Sequence, residues 1–410
     1  MSDLKYWVWL SLSVNPGSRA GDILLPAFDY DAEKIYNASE DDYSKIDSID
    51  KSLVERLCDK DMSDADEIID YCHLNNIGIL TYDSAYYPSR LRRIERAPIL
   101  LYYRGKLIDI DDNVGIAAVG TRRFTDYGRR EAYKICRDLA IGGAIVISGM
   151  ARGIDSICHR AALDVNAHTI AVLGCGINKV YPPENEDLMN EIIEKGTVFS
   201  EFRPFTDPIG TNFPIRNRII SGLSLGTLVV EADLKSGAMI TARYALKQGR
   251  DIFAVPGKIG DANSLGTNEL IQKGAKMVQS GVDILGEYEF FYPHRISIDK
   301  LPRFSKFKLN PLSRSKAEKN KVKPDVTESV PAKTKENEKT DYVAESDYTG
   351  YNLSEEATEI LLSMPLGSAL TGDELSRGKF STSVILSNMT RLEIKGLVRK
   401  LPGGKFIRLK

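Results

Sequence analysis

The sequence predicts an α/β protein built on a parallel sheet covered on both faces. Three observations carry that reading. From residue 114 onward, short apolar runs alternate with helix-length segments; the runs cover 114–119, 144–147, 169–173, 198–199, 227–230 and 252–255. They are nearly continuous in apolar residues instead of alternating, as strands buried on both faces are. Most end in a loop of small residues, such as Gly120-Thr121, Ser148-Gly149 or Gly174-Cys175-Gly176. Right-handed crossovers place such loops along one edge of the sheet, where open α/β sheets bind ligands. The expected fold is an extended Rossmann-like core carrying further modules at both ends.

Residues 1–75 read as a helical module. Leu53, Val54 and Leu57, then Ile68, Ile69 and Cys72, recur at helical spacing. The opening MSDLKYWVWLSLSV is a buried helix, because Asp3 comes early and no small-residue cleavage site follows. Asn15-Pro16-Gly17 is a turn between helices. Residues 76–300 form the core. It opens with short strands at 77–80 and 99–103, and Asp126 is expected to cap a helix running to about residue 141. Residues 301–350 are rich in Lys, Glu, Ser, Pro and Thr and read as a flexible charged linker. Residues 351–410 refold as three helices (355–363, 371–377 and 381–395) and a hairpin over 397–409 with a Pro402-Gly403-Gly404 tip. Three helices with a β wing make a winged helix.

Bulk properties narrow the function. The chain has 410 residues and a formal net charge of -2, so a nucleic-acid site has to be a local patch. Five dispersed cysteines and four scattered histidines supply no metal-ligand spacing and suit a reducing cytoplasm. No apolar stretch reaches the length needed to span a bilayer. No metal and no cofactor is expected. A phosphate loop of the G-x-x-x-x-G-K-[ST] type is missing, and Gly174-Cys175-Gly176 lacks the third glycine of a dinucleotide fingerprint, Lys179 standing there instead.

The candidate contacts cluster on the sheet-edge loops. Gly120, Thr121 and Arg122 follow the strand at 114–119. Ser148, Gly149, Arg152 and Gly153 form a glycine-rich loop suited to anions. Asp155 reads as a helix cap. Gly174, Lys179 and Tyr181 offer a turn, a cation and a stacking ring. Arg216, Asn217 and Arg218 place two guanidiniums upstream of a strand, and Ser236 and Gly237 begin a helix whose free amides suit phosphate. Glu201, Glu231 and Asp233 lie near strand ends but have no partner carboxylate, so no catalytic residue is assigned.

Taken together, these segments resemble the DprA family, also called Smf. The resemblance rests on Gly120-Thr121-Arg122, the run 148–155, Ala171-Val172-Leu173-Gly174-Cys175-Gly176 with Tyr181-Pro182, and the run 213–223. It continues through Val229 to Ala232, Ser236-Gly237, the run 249–257 and Ser264-Leu265-Gly266-Thr267-Asn268. It is dense over 113–285 and looser over 77–105. It implies a SAM-like N-terminal module and a cytoplasmic protein, not an enzyme, that binds and protects incoming single-stranded DNA. It further implies a homodimer through the Rossmann-like core and help in loading the RecA recombinase during natural transformation. Arg122 matches the family arginine that contacts DNA, and Lys179 is the nearest match to a family lysine. Asn15-Pro16-Gly17-Ser18-Arg19 departs from the Pro-Gly-Ile-Gly hairpin of many relatives. The alternative reading is a nucleotide-binding Rossmann enzyme of the phosphoribohydrolase type. Leu225-Gly226-Thr227 with Glu231 gives only a partial echo of that loop.

Overall fold

The computed structural model describes residues 3–301 and, near the C-terminus, 353–364, 369–371, 375, 382–394, 397–401 and 405–408. It divides into two compact units, Met1–Asn310 and Pro311–Lys410. The expected linker lies almost wholly outside the described residues.

In the first unit, six helices precede the sheet: α1 (Leu4–Ser13), α2 (Ala20–Ala27), α3 (Ala32–Asn37), α4 (Glu40–Ser44), α5 (Lys51–Cys58) and α6 (Ser63–Leu74). The apolar opening of the chain is the buried helix the sequence predicts, with Trp7, Val8, Trp9 and Leu10 inside. The sheet then alternates with helices: β1 (Gly78–Thr81), α7 (Ser89–Arg92), β2 (Leu100–Gly105), β3 (Gly115–Val119), α8 (Asp126–Ile141), β4 (Ile145–Ser148), α9 (Ile154–Leu163) and β5 (Thr169–Leu173). There follow α10 (Glu186–Lys195), β6 (Thr197–Ser200), α11 (Asn212–Gly222), β7 (Gly226–Val229), α12 (Gly237–Lys247), β8 (Asp251–Ala254), α13 (Ala262–Gln272), β9 (Lys276–Met277) and α14 (Gly281–Leu285).

Among the described residues these nine strands form one sheet in the order β1-β2-β6-β5-β4-β3-β7-β8-β9. From β6 to β9 every pairing is parallel. The two strands that precede the alternating region pair differently, β1 with β2 and β2 with β6, both antiparallel. β3, β4, β5, β6 and β7 are buried throughout, which explains their unbroken apolar runs. The order reverses at β3: chain order runs outward through β4 and β5 on one side and through β7 and β8 on the other. That switch point opens a crevice at the carboxyl ends of the strands.

Cores on the two faces hold the sheet. One face is covered by the N-terminal helices, with Trp7, Leu10, Leu24, Ile35 and Leu57 sharing a cluster with Ala171, Leu173 and Val198. Burying each large apolar side chain contributes about 1.5–3 kcal/mol. Helix α8 is capped one residue earlier than the sequence suggests. The Thr125 side chain accepts from the Gly128 amide, and Asp126 is the first helical residue.

In the second unit, α15 (Glu355–Leu362) and α16 (Thr382–Ile394) pack with a sheet of β10 (Ala369–Thr371), β11 (Val398–Leu401) and β12 (Lys405–Arg408), in the order β10-β12-β11. Ile360, Leu361, Ile385, Met389, Leu392 and Phe406 form its core. The helix expected over 371–377 needs correction at its start, since Thr371 ends strand β10 and pairs with Lys405. A residue that completes a strand pair cannot also start a helix. Most of the remainder of that segment and the hairpin tip lie outside the described residues. Arg408 is buried and donates to the carbonyls of Leu361 and Met364 at 3.1 and 2.9 Å, so it braces this unit from within.

Candidate nucleic-acid interface

A cleft of about 550 Å³ opens at the switch point. Eight of the expected contact residues line it: Gly120, Thr121, Arg122, Tyr181, Arg216, Asn217, Ser236 and Gly237. The β3–α8 loop forms one wall, α11 the floor, and the start of α12 the opposite wall. The β3–α8 loop is clamped by Glu231. Its carboxylate accepts from the Thr125 amide at 2.9 Å and from the Thr125 hydroxyl at 2.5 Å. The Glu231 carbonyl accepts from the Thr121 amide at 2.8 Å. Thr121, Arg122 and Arg123 are thereby held out over the cleft.

Phe213 is the residue that the sequence reading leaves out of the contact set and the geometry puts at its centre. Its ring lies 5.2 Å from that of Tyr181, tilted by 36°. The Arg122 and Arg216 guanidinium carbons stand 5.7 and 5.9 Å from the Phe213 ring centroid. A Cβ on Gly174 would meet that ring at 2.7 Å, so this glycine makes room for Phe213. The signal was present, since Phe213 opens the most distinctive run of the chain.

The two arginines of α11 have different surroundings. Arg216 is buried and donates to the Gly149 carbonyl at 2.7 Å and to the Val172 carbonyl, but its buried Nε has no partner among the described residues. Burial pushes its guanidinium down to about 10. Arg218 is buried deeper in its contacts, pairing with Glu201 at 2.6 Å and donating to the Arg96 carbonyl at 2.9 Å. Glu201 in turn accepts from the Gly17 amide at 3.4 Å. Arg218 therefore fastens α11 to the segments after α7 and β6, Glu201 carries the contact on to the turn after α1, and Glu201 and Glu231 are both engaged in structural bonds.

The remaining expected contacts lie around the cleft. The Ser148 hydroxyl donates to the Ala118 carbonyl at 2.6 Å, inside the sheet. The Gly149 amide donates to Asp155 at 3.2 Å, and a Cβ there would strike the Arg216 guanidinium at 2.6 Å. Gly153 sits at φ +88, where a side chain is strained, against the Thr121 carbonyl. Exposed Arg152 pairs with Glu184, and Lys179 pairs with Asp207 at 3.1 Å. Arg122 has no carboxylate partner among the described residues and is exposed. Ser236 precedes α12 without capping it, and among the described residues its hydroxyl has no partner and nothing lies within 4 Å of a Cβ on Gly237. The Met239 amide turns back to the Ser236 carbonyl at 3.1 Å, which leaves the amides of Gly237 and Ala238, both lining the cleft, for a ligand.

Asp155 is not the helix cap the sequence suggested. Gly153 occupies that position, and Asp155 lies inside α9, buried, lining the cleft. Burial pushes its carboxyl up to about 6, against the pull of Arg216. Its folded value lies above its unfolded one, so its contribution is present below pH ~3.8 and is lost as pH rises through about 6. Denaturant unfolding of Asp155→Asn checks this. Relative to wild type, the variant is expected to gain up to about 3 kcal/mol on going from pH 3.8 to pH 7.5, at roughly 1.4 kcal/mol for each pH unit separating the folded and unfolded values. His159, fully buried with its Nδ1 2.8 Å from the Thr169 hydroxyl, is pushed down to about 3 by burial and serves the core. Among the described residues no group of His, Cys, Asp and Glu could hold a metal ion, and no helix is long and apolar enough to cross a membrane.

A Rossmann-like sheet with a cationic, amide-lined and aromatic cleft at its switch point has the features of the nucleotide- and phosphate-binding class. The family model for DNA recombination-mediator protein A matches residues 78–289, just over half of the chain. The chain belongs to that family. Protein Smf of Escherichia coli (strain K12) is 44% identical over 216 residues, which are 52% of this chain and 58% of that protein. DNA processing protein DprA of Streptococcus pneumoniae is 43% identical over 204 residues, covering 50% of this chain and 72% of the relative. The X-ray structure of DNA processing protein A (DprA) from Streptococcus pneumoniae aligns with a TM-score of 0.61 at 33% identity, over 70% of this chain and 99% of that one. The Escherichia coli match thus spans under two thirds of that relative's length.

Proposed function

We propose that the chain binds single-stranded DNA in the switch-point cleft, protects incoming strands and helps load RecA recombinase during natural transformation. One observation carries the DNA reading: Arg122, which among the described residues is in no ion pair, stands over the Phe213 ring, beside Tyr181 and across from the open amides of α12. Cation and amides suit phosphates, while the rings suit unpaired bases. A duplex hides its base faces, so the aromatic part of the cleft favours single strands.

The contact set is Gly120, Thr121, Arg122, Ser148, Gly149, Arg152, Gly153, Gly174, Lys179, Tyr181, Arg216, Asn217, Arg218, Ser236 and Gly237, with Phe213 added. Arg122, Tyr181, Phe213, Ser236 and Gly237 touch the strand. The other glycines, Ser148 and Arg218 shape the site. Transfer to RecA, a homodimer through the Rossmann-like core and a cytoplasmic location rest on the family resemblance. The division into a helical module over 1–75, a core over 76–300, a linker over 301–350 and a winged helix over 351–410 rests on the periodicity and composition of the sequence. The chain is read as a binding protein rather than an enzyme, because Glu201 and Glu231 are occupied by Arg218 and Thr125.

Fluorescence anisotropy with labelled oligo-dT and a matched duplex over a salt series tests the DNA reading. Tighter binding of the single strand, falling steeply with salt, is expected. Equal affinities at moderate salt would remove the preference for single strands, and no binding of either would remove DNA from the cleft.

A further inference from the structure

A second cavity of about 520 Å³ lies between the first turns of α8 and α9 and the start of α10, lined by Arg129, Arg130, Tyr133, Arg160 and Glu184 among others. Resting on the proposed reading, we propose that this groove is a second phosphate-binding stretch of the same path, taking the nucleotides of a single strand that leave the switch-point cleft.

Position is the first support. Both walls are the opening turns of the helices whose preceding loops frame the cleft, since α8 follows Thr121-Arg122-Arg123 and α9 follows Ala151-Arg152-Gly153. The Arg152–Glu184 ion pair stands at the junction: Glu184 lines the groove, and Arg152 follows Ala151, which lines the cleft.

Charge is the second. Three arginines line the groove against one carboxylate, Glu184, which Arg152 already neutralises. Arg130 has no carboxylate partner among the described residues and is exposed. Among the described residues Arg129 pairs only with Asp126, at 3.5 Å and largely in solvent, where such a pair is worth little. Arg160 is committed to Glu191 and offers its remaining N–H groups. In a chain of net charge -2, an arginine-lined hollow separated from a phosphate cleft by one exposed ion pair is a local site for a polyanion.

Chemistry is the third. Tyr133 spends its hydroxyl on Asp164 at 2.8 Å and leaves its ring partly exposed along the groove. A cation row beside an aromatic face is the pattern on which single-strand paths are built. The groove therefore sets the length of strand that is covered, while the cleft sets whether a strand is bound at all.

The test compares oligo-dT of ~6 and ~20 nucleotides, lengths that bracket one and several phosphate stretches. Wild type, the double variant Arg129→Ala/Arg130→Ala and the control Arg137→Ala are compared. Arg137 is an exposed cation of the same helix that does not line the groove. Circular dichroism and thermal unfolding confirm that each variant folds. The double variant is expected to leave the short oligomer's affinity within about twofold and to weaken the long one about tenfold. Its salt slope should be shallower by roughly 0.7 for each phosphate that the missing guanidiniums would have neutralised. An unchanged long-oligomer affinity overturns the groove, as does equal weakening of both lengths or by Arg137→Ala. Failure of the cleft reading itself looks different: wild type would then bind neither length.

Discussion

Arg122→Ala is expected to weaken oligo-dT binding roughly 30-fold, the equivalent of about 2 kcal/mol for a charge-assisted contact to phosphate. The side chain is exposed and has no carboxylate partner among the described residues, so truncation leaves no buried group stranded and the fold should survive. Its guanidinium covers the Phe213 ring at 5.7 Å, so the loss combines a phosphate contact with one side of a base platform. Anisotropy over a salt series separates these parts. The phosphate part appears as a slope shallower by about 0.7, and the stacking part as a loss that persists at high salt. Arg122→Lys should restore the slope more fully than the affinity, because an ammonium keeps the charge but not the planar fork. Wild-type affinity in Arg122→Ala would take the DNA off this wall of the cleft.

Arg218→Met should act in the opposite way, harming stability far more than any direct contact. Arg218 and Glu201 are both buried and pair at 2.6 Å. Removing one partner leaves an uncompensated buried charge, typically at a cost of 3–5 kcal/mol, here written as ~4 kcal/mol. For a unit of this size that corresponds to a melting temperature lower by about 6 °C. The double variant Arg218→Met/Glu201→Gln should recover much of the loss, because no lone charge remains. Thermal unfolding of the four proteins completes the cycle. A single variant as stable as wild type would mean that the pair does not fasten α11.

These two arginines show where the sequence was legible and where it was not. The strands were readable because β3 to β7 are buried on both faces, which leaves nothing but apolar runs. The loops at their carboxyl ends followed from chain topology alone. Helix α11 escaped notice for a physical reason. Its residues 216–222 are all buried, and Arg216, Asn217, Arg218 and Ser221 are among them, so no apolar stripe marks its period. A guanidinium that serves a ligand and one that serves a carboxylate look the same in a sequence. Only the positions of Glu201 and of the Gly149 carbonyl separate the jobs of Arg218 and Arg216. The antiparallel sense of β1 and β2 was equally hidden, because an apolar run has no direction. The glycines were legible as loop markers but not as to cause: Gly149 makes room for a guanidinium and Gly174 for a phenyl ring, while Gly237 faces open space.

The shared cluster beneath the sheet has a consequence for how the molecule can be cut. Residues 78–289 are what the family pattern recognises, yet Trp7, Leu10, Leu24, Ile35 and Leu57 lie against the same apolar layer as Leu173 and Val198. A fragment trimmed to the recognised segment would present that layer to water, and Glu201 would lose the Gly17 amide as well. The stretch that the family pattern recognises is therefore smaller than the apolar unit that closes over the sheet, whose frontier lies upstream of the first strand.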